Sequence, residues 1–168
     1  MTEAARPLFE GRTAMALLKT WHAALAGAFV VAYLTAGEDF YAMHQFAGYG
    51  VLVAIALRLL LGAMANGRGP LRLPHPLQAV RAWRERRAGR NPLFAVFAAA
   101  LLATVGAVAL LGAAADFLPR LEDLHEAVAE ASLWLIAGHV AFVFYMHGGR
   151  ARVAPLLSRF DIHGRSPS

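Results

Sequence analysis

The chain has 168 residues, 58% of them hydrophobic and only 16% charged. Its mean hydropathy of +0.49 lies outside the soluble globular range and points to a membrane protein. There is no cysteine, which excludes disulfides, iron–sulfur clusters and thiolate-bound zinc or haem and leaves histidine as the main candidate metal ligand. The net charge of +5 does not indicate nucleic acid, because the basic residues gather between apolar runs, as topology signals in a membrane protein do.

Residues 1–13 form a polar arm. Glu3, Arg6, Glu10 and Arg12 fall within it, so no cleavable signal peptide is expected. The first apolar span runs from about Ala14 to Ala36 and carries Lys19, Trp21 and His22 near its start. Gly37-Glu38-Asp39 makes a short acidic turn. The second span runs from about Phe40 to Met64, with His44 near its start and Arg58 deep in its second half. Asn66 to Arg90 is a connector rich in Gly, Pro and Arg. Within it, Pro76 to Arg87 reads as a short helix on the membrane surface, with Leu77, Val80 and Trp83 inward and the arginines outward. Asn91-Pro92 reads as a helix cap followed by proline at the first helical position. The third span, from about Pro92 to Ala113, has neither charge nor histidine. Asp116 to Asp123 is a second acidic turn, and the fourth span runs from about Glu122 to His147, before a polar, basic tail from Arg150.

Each span is long enough to cross about 30 Å of hydrocarbon. The expected architecture is a single membrane domain, an all-α antiparallel four-helix bundle. The connector carries Arg68, Arg72, Arg81, Arg84, Arg86, Arg87 and Arg90, whereas the other two turns carry only Arg120 between them. The positive-inside rule places the connector and both termini in the cytoplasm.

Ionisable groups inside a span are costly and usually functional. His125 and His139 are fourteen residues apart on the fourth span, so they share one face, about 20 Å apart along the axis, with Ser132 midway between. His22 and His139 each lie about eight residues from the cytoplasmic end of their spans, and His44 and His125 about three or four from the outer end. Two level pairs in a four-helix bundle are what two six-coordinate b-type haems, stacked across a bilayer, require. His22 and His139 are thus candidate ligands of the cytoplasmic-side iron, and His44 and His125 of the outer iron. Gly48, beside His44, would allow close approach of a flat macrocycle, as would Gly138 and Gly27. Arg58, on nearly the same face as His44 and at the depth of the inner pair, is a candidate partner for haem propionates or a snorkelling arginine. Glu126 and Glu130 either complement the helix N-terminus or carry protons for quinone chemistry. His147 is expected to be interfacial, and His75 and His163 are given no role.

The segments TWHAALAGAFVVAYLTAGE, MHQFAGYGVLVAIALRLLLG, RNPLFAVFAAALLATVGAVALLG and LHEAVAEASLWLIAGHVAFVFYMH resemble the bacterial cytochrome b561 group, which includes the cytochrome b subunits of nickel–iron hydrogenases. The resemblance covers roughly residues 14–150. It implies a four-helix di-haem b cytochrome of the bacterial inner membrane, with ligands at His22, His44, His125 and His139. Many members carry Trp just after the first histidine; here Trp21 precedes His22 and Ala23 follows, so packing around the inner haem differs. Fold does not fix the reaction. The leading expectation is an electron conduit between the quinone pool and a periplasmic c-type cytochrome, dehydrogenase or hydrogenase subunit. The second is a superoxide:ubiquinone oxidoreductase. The third, from another class, is a haem-free metal-binding or transport module, but broken helices and polar cavities are not evident.

Overall fold

The structure is a computed structural model that describes residues 11–65, 69–85 and 91–149. The first ten residues of the polar arm, Arg68, Arg86, Arg87, Arg90 and the basic tail with His163 lie outside the described residues, as does much of the arginine pattern behind the expected orientation. Among the described residues every regular element is helical. Helix α1 spans Gly11–Leu34, α2 Tyr41–Met64, α3 Pro76–Arg84, α4 Leu93–Ala115 and α5 Glu122–Phe144. Tight 3-10 turns at Glu38–Phe40 and Pro119–Leu121 precede α2 and α5, and a π-helical turn at Tyr145–Gly149 follows α5. Four segments are long and apolar enough to cross a membrane: Gly11–Leu34, Glu38–Met64, Leu93–Ala115 and Pro119–Gly148. They coincide closely with the four spans expected from the sequence.

Local chemistry explains the boundaries. Asn91 accepts the Leu93 N–H on its side-chain oxygen at 3.0 Å, and Pro92 occupies the position where a missing N–H costs nothing, so α4 starts where the Asn-Pro pair predicted. Helix α1 ends within one turn of Gly37, and Thr35 folds its hydroxyl back onto the Val31 carbonyl.

The chain forms two compact units, Met1–Ser132 and Leu133–Ser168. In the first, Val51 and Ile55 of α2 meet Val105 and Ala109 of α4, and Trp21, Leu25, Ala28 and Phe29 of α1 pack against them. Neighbouring helices run antiparallel there: Ala32 meets His44 while Trp21 meets Ala54, and Tyr49 meets Asp116 while Ile55 lies against Gly106. The outer faces expose Val30, Leu57, Leu60 and Leu110, as surfaces in hydrocarbon do. On α3 the intermediate residues are Pro76, Ala79 and Ala82, whereas Leu77 and Trp83 are exposed beside Arg81 and Arg84. The second unit holds the rest of α5 and the π-helical turn, with Trp134 and Phe144 exposed.

Candidate functional site

The first of the two best-defined sites is the end of the first unit away from the connector. Helix α1 stops at Leu34, and its last i→i−4 backbone bond runs from the Thr35 N–H to the Val31 carbonyl, so the carbonyls after Val31 lack backbone partners within the helix. One of them, Ala32, accepts the Nδ1–H of His44 at 2.7 Å. On the facing side, His125 donates its Nδ1–H to the Val108 carbonyl of α4 at 3.0 Å. A carbonyl can only accept, so both bonds require the proton on Nδ1 and leave the Nε2 lone pair of each ring available. This is the arrangement of a metal-ligating histidine, whose second nitrogen is fixed by a hydrogen bond that orients the ring and raises its basicity.

The two rings come together. Their centroids are 6.1 Å apart and their planes stand at 72°. Two imidazoles bonded to one metal at about 2 Å each, with about 1 Å from each nitrogen to its ring centre, need nearly this separation. Among the described residues no third histidine, cysteine or carboxylate joins them in a metal-ligating cluster. Two axial imidazoles leave the four equatorial positions of a six-coordinate metal to a planar tetradentate group. The residues present therefore fit an iron porphyrin.

Gly112 makes the His125 bond possible. It lies one turn beyond Val108 on α4, and a Cβ there would stand 2.9 Å from Cε1 of His125 and 3.2 Å from Nδ1. A side chain there would push the ring from its present place against the Val108 carbonyl. A Cβ on Gly48, by contrast, would meet nothing within 4 Å, and the same holds at Gly27. The glycine next to the ligand stands out in sequence, whereas the one that shapes this pair lies on the span without histidine.

A carboxylate braces the same end. Asp116, at the C-terminus of α4, accepts hydrogen bonds from the Tyr41 hydroxyl (2.9 Å), the Gln45 amide (2.9 Å) and the Tyr49 hydroxyl (2.7 Å). These donors stand one turn apart on one face of α2. The bonds from Tyr49, then Gln45, hold the exposed Asp116 carboxyl below its ordinary value; slight desolvation opposes them, while the Tyr41 bond and the nearby His44 add to the lowering. Tyr41 also stacks on His44, with ring centroids 6.4 Å apart. The other acids of these turns, Glu38, Asp39, Glu122 and Asp123, are exposed.

The connector end is built around Arg58, which is 7% exposed. Its guanidinium donates to the carbonyls of Leu71 (2.8 Å) and Arg72 (3.0 Å) and lies 5.8 Å from the centre of the Trp21 ring. An arginine at mid-span costs about 2.5–3.5 kcal/mol on insertion scales, and hydrogen bonds from a charged group return about 1.5–3 kcal/mol each. Two such bonds are enough to hold it. The sequence offered haem propionates or lipid headgroups as partners for Arg58; the structure engages it with the main chain of the connector. His22 is exposed on α1, its ring 6.3 Å from that of Trp21. His139 belongs to the second unit and is half-buried. Ser132 is fully buried and donates to the Ala129 carbonyl of its own helix. His75 and His147 make only local bonds, to Leu73 and Val143. Glu126 and Glu130 are exposed.

Membrane-length helices with a histidine pair bridging two of them, each ring fixed through Nδ1, define a helical membrane protein built to hold a flat metal-bearing group between its helices. The family model of the prokaryotic cytochrome b561 matches residues 14–158, and the chain belongs to that family. It is thereby a membrane b-type cytochrome in electron transfer, with haem b as the implied cofactor. No curated protein and no solved structure matches the chain.

Proposed function

We propose that this chain is a di-haem b-type cytochrome that carries electrons between the quinone pool and a redox partner at the periplasmic face of the bacterial inner membrane. The observation that carries the proposal is the His44–His125 pair, 6.1 Å between ring centres with both Nδ1 protons committed to main-chain carbonyls. From the sequence alone, His22 and His139, at matched depth in their spans, would hold the second haem.

A haem held by His44 and His125 would supply one-electron transfer. The chain does the rest. Ala32 and Val108 keep Nδ1 protonated and Nε2 directed for ligation. Val51, Ile55, Val105 and Ala109 form the buried apolar core between α2 and α4. Glu38, Asp39, Glu122 and Asp123 make the outer turns acidic, which steers a basic partner towards this face and disfavours approach of superoxide anion.

The test is purification of the full chain with its haem, an absorption spectrum with haem quantification, and stopped-flow reduction. The expected result is two haem b per chain, reduction by a quinol, and fast, salt-dependent exchange with a basic c-type cytochrome. Reduction by superoxide near the diffusion limit, with no response to any periplasmic redox protein, would replace the conduit with a superoxide oxidase.

A further inference from the structure

Trp21 and His22 are consecutive on α1, and only Trp21 faces the seam with α2. Its indole N–H donates to the Ala54 carbonyl at 2.8 Å, one turn before Arg58 on α2. The Arg58 guanidinium lies 5.8 Å from the centre of the same indole, and two of its donors go to the carbonyls of Leu71 and Arg72. Leu71 is itself buried. The next connector residue but one, Leu73, covers Gly62, where an added Cβ would stand 2.5 Å from the leucine Cδ2. Trp21, Arg58, Gly62 and the 71–73 segment therefore form one latch, joining α1, α2 and the connector.

We infer that this latch is a positioning device for His22: Trp21 and Arg58 set the direction and plane of the imidazole that follows Trp21 in the chain. Successive residues of an α-helix point about 100° apart. With Trp21 pinned to the Ala54 carbonyl, α1 cannot rotate about its axis, and His22 is held off the α1–α2 seam, exposed on the flank. The two rings lie 6.3 Å apart and are tilted by 40°, so the indole also walls one side of the imidazole. Arginine suits the task because it has five donors in a rigid fork and no acceptor. It holds the connector through two donors while its Cζ stands over the indole ring, 5.8 Å from its centre.

The inference rests on the reading of His22 as an axial ligand, and the experiment separates the two. The haem-loaded full chain is prepared as wild type and as His22→Ala, Trp21→Phe, Arg58→Lys and Gly62→Ala. Haem content, the low-spin ferric electron paramagnetic resonance spectrum, which reports axial ring orientation, and the midpoint potential of each haem are measured. His22→Ala should remove one haem and identify its signals. Trp21→Phe, which keeps an aromatic ring but loses the N–H, should retain both haems and shift the resonance and potential of that same haem alone. Arg58→Lys, which keeps the charge without the fork, should shift it in the same sense and by less. Gly62→Ala lies away from the ring and displaces Leu73; it should produce the selective shift even if a Trp21 variant fails to assemble. If His22→Ala leaves both haems in place, the ligand reading falls and the inference with it. If His22→Ala removes a haem but Trp21→Phe and Gly62→Ala leave its resonance and potential at wild-type values, or move both haems alike, the ligand reading stands and the latch is only a staple.

Discussion

The two ends of the first unit satisfy buried donors in the same way and to different ends. Away from the connector, His44 and His125 donate to the carbonyls of Ala32 and Val108. Beside the connector, Arg58 donates to the carbonyls of Leu71 and Arg72. The difference lies in what is left over. A neutral imidazole that donates its single N–H keeps a lone pair on its other nitrogen, so the bond that settles it in the membrane also leaves it able to act as a ligand. A guanidinium has no lone pair to offer, so the same bonding makes it a fastener.

The largest expected effect breaks the comparison at its ligand end. His44→Ala and His125→Ala should each remove the same haem, halving the haem-to-protein ratio and leaving the remaining spectrum identical in the two variants. Loss of different haems in the two variants would show that the 6.1 Å pair is not a ligand pair. Next comes Gly112→Ala, which adds one methyl against the His125 ring. Overpacking of this kind costs about 1–3 kcal/mol. Thermal melts should show that loss, and the haem removed in His125→Ala should be bound substoichiometrically while the other stays full.

A smaller effect concerns the carboxylate brace. The folded-state pKa of Asp116 is depressed, chiefly by the Tyr49 bond and next by that of Gln45. Its contribution to stability is therefore complete above the ordinary carboxyl value of about 3.9 and is lost as pH falls through the depressed value. Asp116→Asn should melt lower than wild type at pH 6. The gap between the two should close as the pH is taken below about 4; a gap independent of pH would mean that the carboxylate charge contributes nothing. The smallest effect is expected at His147, whose ring only returns to the Val143 carbonyl of its own helix. His147→Ala should leave haem content and both potentials at wild-type values, and a lost haem there would move one proposed ligand from α5 to the π-helical turn that follows it.

Much of this was legible in the sequence because the signals are local or contrasting. Apolar runs broken by Gly37-Glu38-Asp39 and by Asp116 to Asp123 placed the spans to within a few residues of α1, α2, α4 and α5. The Asn91-Pro92 start was readable because a cap bonds within its own turn. The histidines stood out because a polar ring in an apolar span calls for a cause. What stayed hidden depends on elements far apart in the chain. Every residue has a carbonyl, so nothing in Ala32 or Val108 advertises an acceptor. Gly112 matters only because a ring from another helix arrives there, whereas Gly48, adjacent in sequence to the ligand region, has open space above it. Arg58 could be seen as a charge at depth, but not that Leu71 and Arg72 return to meet it. The Asp116 brace left one usable trace, since Tyr41, Gln45 and Tyr49 repeat at helical spacing on the face that meets it.

The bond from His44 to Ala32 joins α1 to α2 and needs nothing that comes later in the chain. During synthesis, the hairpin of these two helices can close as soon as both have entered the bilayer, with the His44 ring already turned and its tautomer chosen. If His44 is the proposed ligand, a cofactor would meet its first ligand already seated on the nascent protein, and the later arrival of α5 would bring the second, His125. On that reading, assembly of this end would have a built-in order, in which helix termination comes before cofactor capture.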